Sequence, residues 1–318
     1  MSDKLLTTHA SQSRGAAGVG RNTYGIGAMV GEVRRPWGTV PAPLYALGAI
    51  ASVQVGATVA RHLFAFLGPA GTVFLRVAFG ACILLAIGRP QRRFDTRQWR
   101  AIVLFGLIIA GMNLCFYEAI ARIPLGVAVT IEFIGPLGVA IVGSRKTLDF
   151  VWAAMAAGGV ALLSFGGGNV TGLGLLFALG AAVGWASYIV LGQRVGELVP
   201  GPDGLALALA VGGFALLPLG IAGAGSRLLN GANLATGLVV AILSSAVPFS
   251  LEFAALRRLS KQVFGILMSL EPAVGAAAGF FFLGQRLSLR DAIAIVLVIV
   301  ASAGATRTAS PPTATDVP

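Results

Sequence analysis

The sequence predicts an all-α polytopic membrane protein with ten transmembrane helices, arranged as two inverted five-helix repeats. Three observations lead to this prediction. Apolar segments of about 20 residues, the length that crosses a hydrocarbon core of ~30 Å as a helix, follow one another from Pro43 to Thr306. Charged residues make up only 11% of the chain and hydrophobic residues 56%, against ~25% charged residues in a typical soluble domain. Sequence features of the first half also recur in the second.

The chain divides into a tail, two repeats and a short end. Residues 1–41 are polar, basic and rich in glycine, without the apolar region of a signal peptide, so we expect a disordered cytoplasmic tail. The first repeat, 43–166, contains predicted spans at 43–60, 70–88, 101–121, 124–143 and 149–166. The second, 171–306, contains spans at 171–192, 203–223, 234–256, 263–283 and 289–306, and residues 307–318 form a second cytoplasmic tail.

Small residues and the few cysteines and histidines fit this plan. The 44 glycines favour close packing of membrane helices. Cys82 and Cys115 fall within spans two and three, where they are interpreted as small apolar fillers. His9 and His62 fall in the tail and the first loop, so we expect no metal site and no cofactor.

The net charge of +11 is interpreted as a topology signal. With a cytoplasmic amino terminus, the predicted inner side carries seventeen of the 23 Lys and Arg residues and the outer side five, with Arg76 inside a span. This asymmetry follows the positive-inside rule and places both termini in the cytoplasm. It argues against a nucleic-acid partner.

The halves align at two offsets. At 132 residues, apolar and small residues around Leu44 meet those around Leu176. An offset of 136 pairs two sets of residues: Ala119, Arg122, Val127, Pro136, Ala140 and Gly143 with Ala255, Arg258, Val263, Pro272, Ala276 and Gly279. Repeats of five spans have opposite orientations in the bilayer, the plan of many secondary transporters.

Several short motifs carry a family resemblance. In the first half they are Gly111-Met112-Asn113, Phe116-Tyr117, Glu132-Phe133, Gly135-Pro136 and Asp149-Phe150-Val151-Trp152. In the second half they are Leu179-Gly180-Ala181, Trp185, Gly192-Gln193-Arg194, Ala241-Ile242-Leu243-Ser244 and Met268-Ser269-Leu270-Glu271-Pro272-Ala273. With these motifs the chain, over residues 43–306, resembles the ten-helix EamA-type branch of the drug/metabolite transporter superfamily. Where that superfamily often has Gly-Glu-Arg after span nine, this chain has Gly284-Gln285-Arg286, which weakens any carboxylate role there.

Ionisable residues inside spans are costly and need a reason. Glu132 lies mid-span, one turn before Gly135-Pro136, where the helix is expected to kink and free backbone carbonyls. We interpret Glu132 as a contact for a substrate ammonium or a proton, the alternative being a buried acid that only bonds a neighbour. Arg76 is either a clamp on carbonyls or a carboxylate, or a bidentate contact for a substrate carboxylate.

The remaining candidates form a second group. Glu271, at the matching Pro272 kink, either bonds local donors at the kink or contacts the substrate. Glu252 is interpreted as an interfacial gate or an ion pair with Arg257, the alternative being a substrate contact. The spacing of Glu118 and Arg122 predicts a salt pair. Uncharged cavity candidates and proposed hinges complete the set: Gln54, Asn113, Tyr117, Trp185 and Tyr188 in the cavity, and Pro136, Pro248 and Pro272 as hinges. For Trp185 and Tyr188, packing in the protein core is the alternative to lining the cavity.

The resemblance implies export of small neutral amino acids, threonine and homoserine first. Without a nucleotide-binding motif in the sequence, export against a gradient would draw on an ion gradient, and protons need only a titratable carboxylate. We therefore expect a proton-linked antiporter in a bacterial inner membrane, not an enzyme. Alternatives are export of another metabolite or a drug, an intramembrane enzyme, and a channel. The oligomeric state stays open, a homodimer included.

Overall fold

The structure, a computed structural model, describes residues 41–88, 93–142, 147–164, 170–199, 203–256, 258–259 and 261–308. Across these ranges the secondary structure is helical and includes no strand. The predicted tails at 1–41 and 307–318 lie outside the described residues, except for their innermost positions.

The first helix, α1 (Ala42–Gly88), combines the first two predicted spans. It breaks at Gly68, whose φ of 65° and ψ of 174° suit a residue without a Cβ. Pro69 follows and further excludes a helical conformation before it. The predicted first loop, starting after residue 60, was therefore wrong: the helix continues for two more turns, and Arg61 and His62 lie on it.

The physical reason is a bond that the sequence pattern did not reveal. The Arg61 guanidinium donates to the Ile120 carbonyl. In a continuous helix that carbonyl would accept from residue 124, which is proline and has no N–H. Arg61 thus binds a backbone carbonyl inside the protein, and its charge does not indicate a loop.

Four more helices complete the first half: α2 (Thr96–Arg122), α3 (Leu125–Glu132), α4 (Ile134–Val142) and α5 (Thr147–Ser164). A capping box at Asp95 and Gln98 starts α2 five residues before the predicted span. The predicted span at 124–143 is divided at Phe133, which separates α3 from α4.

Seven helices form the second half: α6 (Gly172–Leu198), α7 (Asp203–Ala224), α8 (Gly231–Ala241), α9 (Val247–Leu256), α10 (Lys261–Met268), α11 (Glu271–Leu283) and α12 (Leu289–Thr308). A 3-10 turn follows α7, and a π turn at Ile242–Ala246 joins α8 to α9. Two residues, Ser269 and Leu270, separate α10 from α11.

Glycines set the closest helix contacts. A Cβ on Gly126 of α3 would lie 2.5 Å from the Ala276 Cα of α11, and a Cβ on Gly135 of α4 would lie 2.2 Å from the Ala182 carbonyl oxygen of α6. These backbones approach each other as membrane helices with small residues do. Further close pairs are α1 with α7, α2 with α6, and α5 with α12.

Seven helices within the described ranges are long and apolar enough to cross a membrane, and two shorter apolar helices lie at Leu125–Val139 and Phe150–Leu163. The first of the seven, Ala42–Ile87, has 46 residues, more than twice the ~20 needed for one crossing. Large apolar side chains such as Phe66, Phe214 and Phe281 are exposed on the outer surface. That surface is suited to lipid.

Candidate functional site

Three prolines lie beside helix breaks, as the sequence predicts. Pro136 follows the α3–α4 break, Pro248 follows the π turn, and Pro272 stands in the first turn of α11. Each lacks an N–H and deprives a carbonyl of the preceding turn of its helical partner. The breaks are confirmed, whereas the hinge role of these prolines stays a prediction.

At the first break, Glu132 is the last residue of α3. Its own carbonyl is the one that Pro136 leaves without a helical donor. Its side chain is 9% exposed. The next residue, Phe133, packs edge-on against Trp185 of α6, with ring centroids 5.5 Å apart.

At the third break, Glu271 meets a side chain from the first segment of α1. Gln54 Nε2 lies 3.5 Å from Glu271 Oε1. Gln54 is 1% exposed and Glu271 8%. The amide oxygen of Gln54, Oε1, and the other carboxylate oxygen of Glu271, Oε2, are buried without a hydrogen-bond partner. These two oxygens could each accept a hydrogen bond, and both are buried away from water.

At the second break, two side chains of α1 bind carbonyls of the π turn. Ser52 Oγ donates to the Leu243 carbonyl at 2.7 Å, and Arg76 Nη2 donates to the Ser244 carbonyl at 3.4 Å. The N–H that Pro248 lacks would bond the Ser244 carbonyl in an α-helix and the Leu243 carbonyl in a π turn. The predicted clamp of Arg76 on carbonyls at a broken helix is therefore present, through one long bond of a group with five donors.

Arg76 also contacts α2. Its guanidinium carbon lies 5.5 Å from the centre of the Tyr117 ring. The Tyr117 side chain is fully buried, and its hydroxyl has no hydrogen-bond partner. Asn113, one turn earlier, is buried too, but its amide donates to the Ile109 carbonyl of its own helix at 2.8 Å, so that donor is already used.

These contacts bring five predicted residues together, and we call them the central polar cluster: Gln54, Arg76, Tyr117, Glu132 and Glu271. Glu132 is near enough to both Glu271 and Arg76 for their charges to interact. Two carboxyl groups thus lie close together, and one of them, Glu132, also lies near the Arg76 guanidinium. Such an arrangement favours an additional cation, because two ionised carboxylates repel each other at short range.

Glu252 and Tyr188 lie beside the cluster. Glu252 of α9 is half-buried, and its charge acts on both Glu271 and Tyr188. Tyr188 stacks on Phe105 with ring centroids 5.1 Å apart. Both aromatic residues line a cavity of about 360 Å³ between the end of α6 and the start of α7. The predicted partner of Glu252, Arg257, lies outside the described residues.

Two predictions outside the cluster have clear outcomes. The salt pair between Glu118 and Arg122 is confirmed. Gln285, at the position where a carboxylate is common, accepts from the Leu125 N–H at 2.9 Å and so caps the start of α3. In the described part of the chain, no group of three His, Cys, Asp or Glu side chains is placed to hold a metal ion.

Sequence reasoning missed Ser52, Arg61 and Gln285. A usable signal existed for Arg61 and Ser52: the carbonyls four or five residues before a proline inside a membrane helix need donors from elsewhere. Nothing in the local sequence indicates which helix supplies them. That information depends on the packing of α1 against α2 and against the π turn.

Comparison with known proteins places this arrangement in context. The EamA-like transporter family matches the chain twice, over residues 40–165 and 172–307. The threonine/homoserine exporter RhtA of Escherichia coli K12 is 42% identical over 266 residues, which are 82% of this chain and 90% of that protein. RhtA of Salmonella typhimurium SL1344 is 41% identical over 269 residues, 83% of this chain and 91% of that protein.

The chain is also similar to more distant proteins. The protein PecM of Dickeya dadantii is 28% identical over 217 residues, 64% of this chain and 72% of that protein. One crystal structure aligns with a TM-score of 0.58 and 18% identity, over 84% of this chain and 97% of its own. At that identity the structural match supports the fold alone.

Proposed function

Because the chain belongs to the EamA-like transporter family, we propose that it exports small neutral amino acids, threonine and homoserine first, in exchange for protons. The observation that carries the substrate class is the 42% identity to a threonine/homoserine exporter over 90% of that protein. The central polar cluster suits such a substrate, since a zwitterion needs an anion contact and a cation contact close together.

In this mechanism the substrate carboxylate is bound by Arg76 or by the end of a broken helix. Four of the five guanidinium N–H groups remain for this task after the bond to Ser244. Glu132 receives the substrate ammonium or a proton, and the break after α3 leaves its backbone carbonyl as an additional acceptor. Tyr117 completes this substrate site, with Asn113, Trp185 and Tyr188 around it, and Gln54 and Glu271 are the candidates for proton coupling.

The proposed topology has ten crossings. It counts the long first helix as two crossings because of the break at Gly68, and it adds the two shorter apolar helices to the six other long ones. Both termini are placed in the cytoplasm by the charge asymmetry, and the membrane is a bacterial inner membrane.

The proposed inverted repeat is supported by the packing. The family matches once in each half. Exchanging the halves maps the contact of α2 with α6 onto the contact of the π turn and α9 with the first segment of α1. It maps three contacts onto themselves: the second segment of α1 with α7, α3 with α11, and α5 with α12. Alternating access then consists of rocking one half against the other, with the proline breaks as hinges and Glu252 as a gate toward the cavity beside Tyr188.

Efflux from preloaded membrane vesicles, with and without an uncoupler, tests this function. We expect threonine efflux that the uncoupler slows and that Glu132→Gln abolishes. The matched control is Glu118→Gln, which removes a carboxylate engaged only in the salt pair with Arg122. Efflux that neither the uncoupler nor Glu132→Gln affects contradicts the mechanism.

Competition by other solutes separates the proposed substrate class from the main alternative. If the scaffold exports another metabolite or a drug, larger apolar compounds will inhibit threonine efflux better than homoserine does. If the proposal is correct, homoserine and serine will compete and bulky apolar compounds will not.

A further inference from the structure

We propose that Gln54 and Glu271 form the proton site of this exchange, and that Glu132 receives the ammonium group of the substrate. The inference rests on the proposed export function and assigns separate tasks to two carboxyl groups that sequence reasoning leaves interchangeable. The assignment depends on two differences between Glu271 and Glu132: one Glu271 oxygen is fully buried, and within the described ranges only Glu271 has a hydrogen-bond partner, Gln54.

The Gln54–Glu271 pair is sealed. Glu271 Oε2 and Gln54 Oε1 have neither exposed surface nor a hydrogen-bond partner. A Cβ placed on Gly275, one turn after Glu271, would lie 3.2 Å from Gln54 Oε1, so the backbone of α11 already fills the space beside the amide. An ammonium group does not fit between these atoms without moving a helix, whereas a proton does.

The chemistry of the pair serves both protonation states. When the Glu271 carboxyl is ionised, Gln54 Nε2 donates to it, as in the observed 3.5 Å contact. When it is protonated, its O–H needs an acceptor, and Gln54 Oε1 is an adjacent unpartnered one. An amide provides a donor and an acceptor on one side chain, so a turn of the Gln54 amide keeps the buried carboxyl bonded before and after proton release.

Glu132 is placed differently. It has no hydrogen-bond or ion-pair partner among the described residues, and neither of its oxygens is sealed in the way that Glu271 Oε2 is. It ends α3 at the helix break and lies near Arg76. A substrate that reaches Glu132 with its ammonium therefore has a guanidinium nearby for its carboxylate.

Electrostatic repulsion between Glu271 and Glu132 couples the proton site to the ammonium site. Glu271 faces Glu132 of α3 and Glu252 of α9, while Arg76 of α1 acts on Glu132. With Glu132 unpaired, ionisation of Glu271 places like charges close together, so Glu271 holds its proton. An ammonium at Glu132 removes that repulsion. When the two halves then rock apart on one side of the membrane and water reaches Glu271, its O–H bond breaks, the proton passes to that water, and the electron pair stays on the carboxylate. On the other side a returning proton reverses these steps, so one substrate exchanges for one proton.

The test uses the full chain in proteoliposomes and two modes of threonine transport. Counterflow at saturating threonine and equal pH on both sides requires the substrate site alone. Accumulation driven by a pH gradient requires the proton site as well. We expect Glu271→Gln to keep counterflow within about twofold of wild type and to lose at least roughly tenfold of gradient-driven accumulation, because an amide does not take up and release a proton as a carboxyl group does. Glu132→Gln should lose both modes.

A second variant keeps the test decisive if Glu271→Gln does not fold. Gln54→Leu removes both the donor and the acceptor, and we expect the same selective loss of gradient-driven transport. Two results overturn the assignment of the proton site: gradient-driven accumulation at the wild-type rate in these variants, or loss of both counterflow and gradient-driven accumulation. Wild-type protein without threonine counterflow contradicts the export function itself, so the two failures are distinguishable.

Discussion

Replacing Arg76 with leucine separates the structural role of its guanidinium from a role in substrate binding. Its bond to the Ser244 carbonyl, at 3.4 Å, is long and goes to a neutral acceptor, so it contributes about 1 kcal/mol. The contact with the Tyr117 ring at 5.5 Å contributes up to ~2 kcal/mol in a desolvated site. We expect Arg76→Leu to lower the free energy of unfolding by roughly 2–3 kcal/mol.

Pro248→Ala supplies an N–H for the carbonyls of the π turn. If Arg76 replaces that missing donor, the cost of Arg76→Leu will fall by about 1 kcal/mol in the Pro248→Ala background. Unfolding of the four proteins in mixed micelles, followed by circular dichroism, measures this coupling. Strict additivity of the two substitutions refutes the explanation of the bond.

Threonine counterflow of the same proteins reveals the second role. Loss of a charge-assisted contact to the substrate carboxylate lowers kcat/KM by about a hundredfold, and this loss will persist in the double variant although stability recovers. Arg61→Leu is the matched control, because Arg61 also donates to a carbonyl that a proline leaves unpaired but lies outside the cluster. We expect it to cost stability and to change counterflow by less than about threefold. Wild-type counterflow in Arg76→Leu contradicts substrate binding by Arg76.

Three further predictions concern transport and packing. Threonine binding to the purified protein, measured by calorimetry, should disappear in Glu132→Gln and persist in Glu118→Gln; binding in both variants is the contrary result. Gly135→Ala places a Cβ 2.2 Å from a backbone oxygen of α6, whereas Gly138→Ala meets nothing within 4 Å. The first should therefore cost ~2–4 kcal/mol of unfolding free energy and the second less than about 1, and equal unfolding curves would refute the close α4–α6 contact. Gln285→Leu removes the cap of α3 and should cost about 1 kcal/mol, while Gln285→Glu should cost little because a carboxylate also accepts the N–H; equal thermal stability of the two variants would count against the cap.

The sequence allowed prediction of the apolar helices and of the places where they break. Hydrophobic length and proline position are local properties, and they located the interruptions before Pro136, Pro248 and Pro272. The first loop was placed wrongly because Arg61 was interpreted as an aqueous residue. Its partner, the Ile120 carbonyl, is 59 residues away in sequence.

The residues of the candidate site were predicted better than the contacts between them. An ionisable residue inside an apolar span has a high free-energy cost of insertion. This cost alone was enough to identify Arg76, Glu132 and Glu271. The pairing of Gln54 with Glu271 joins residues 217 positions apart, and Gly275 lets the backbone of α11 approach Gln54 closely. No local sequence pattern indicates a contact between residues so far apart in the chain.

Simultaneous recording of threonine and proton movement tests the central claim most directly. In proteoliposomes with a pH dye inside and equal pH on both sides, threonine added outside should enter while protons leave, with a constant ratio between the two fluxes. Glu132→Gln should abolish both. Threonine entry without any proton movement in the wild-type protein would contradict the account of a shared amino-acid and proton site.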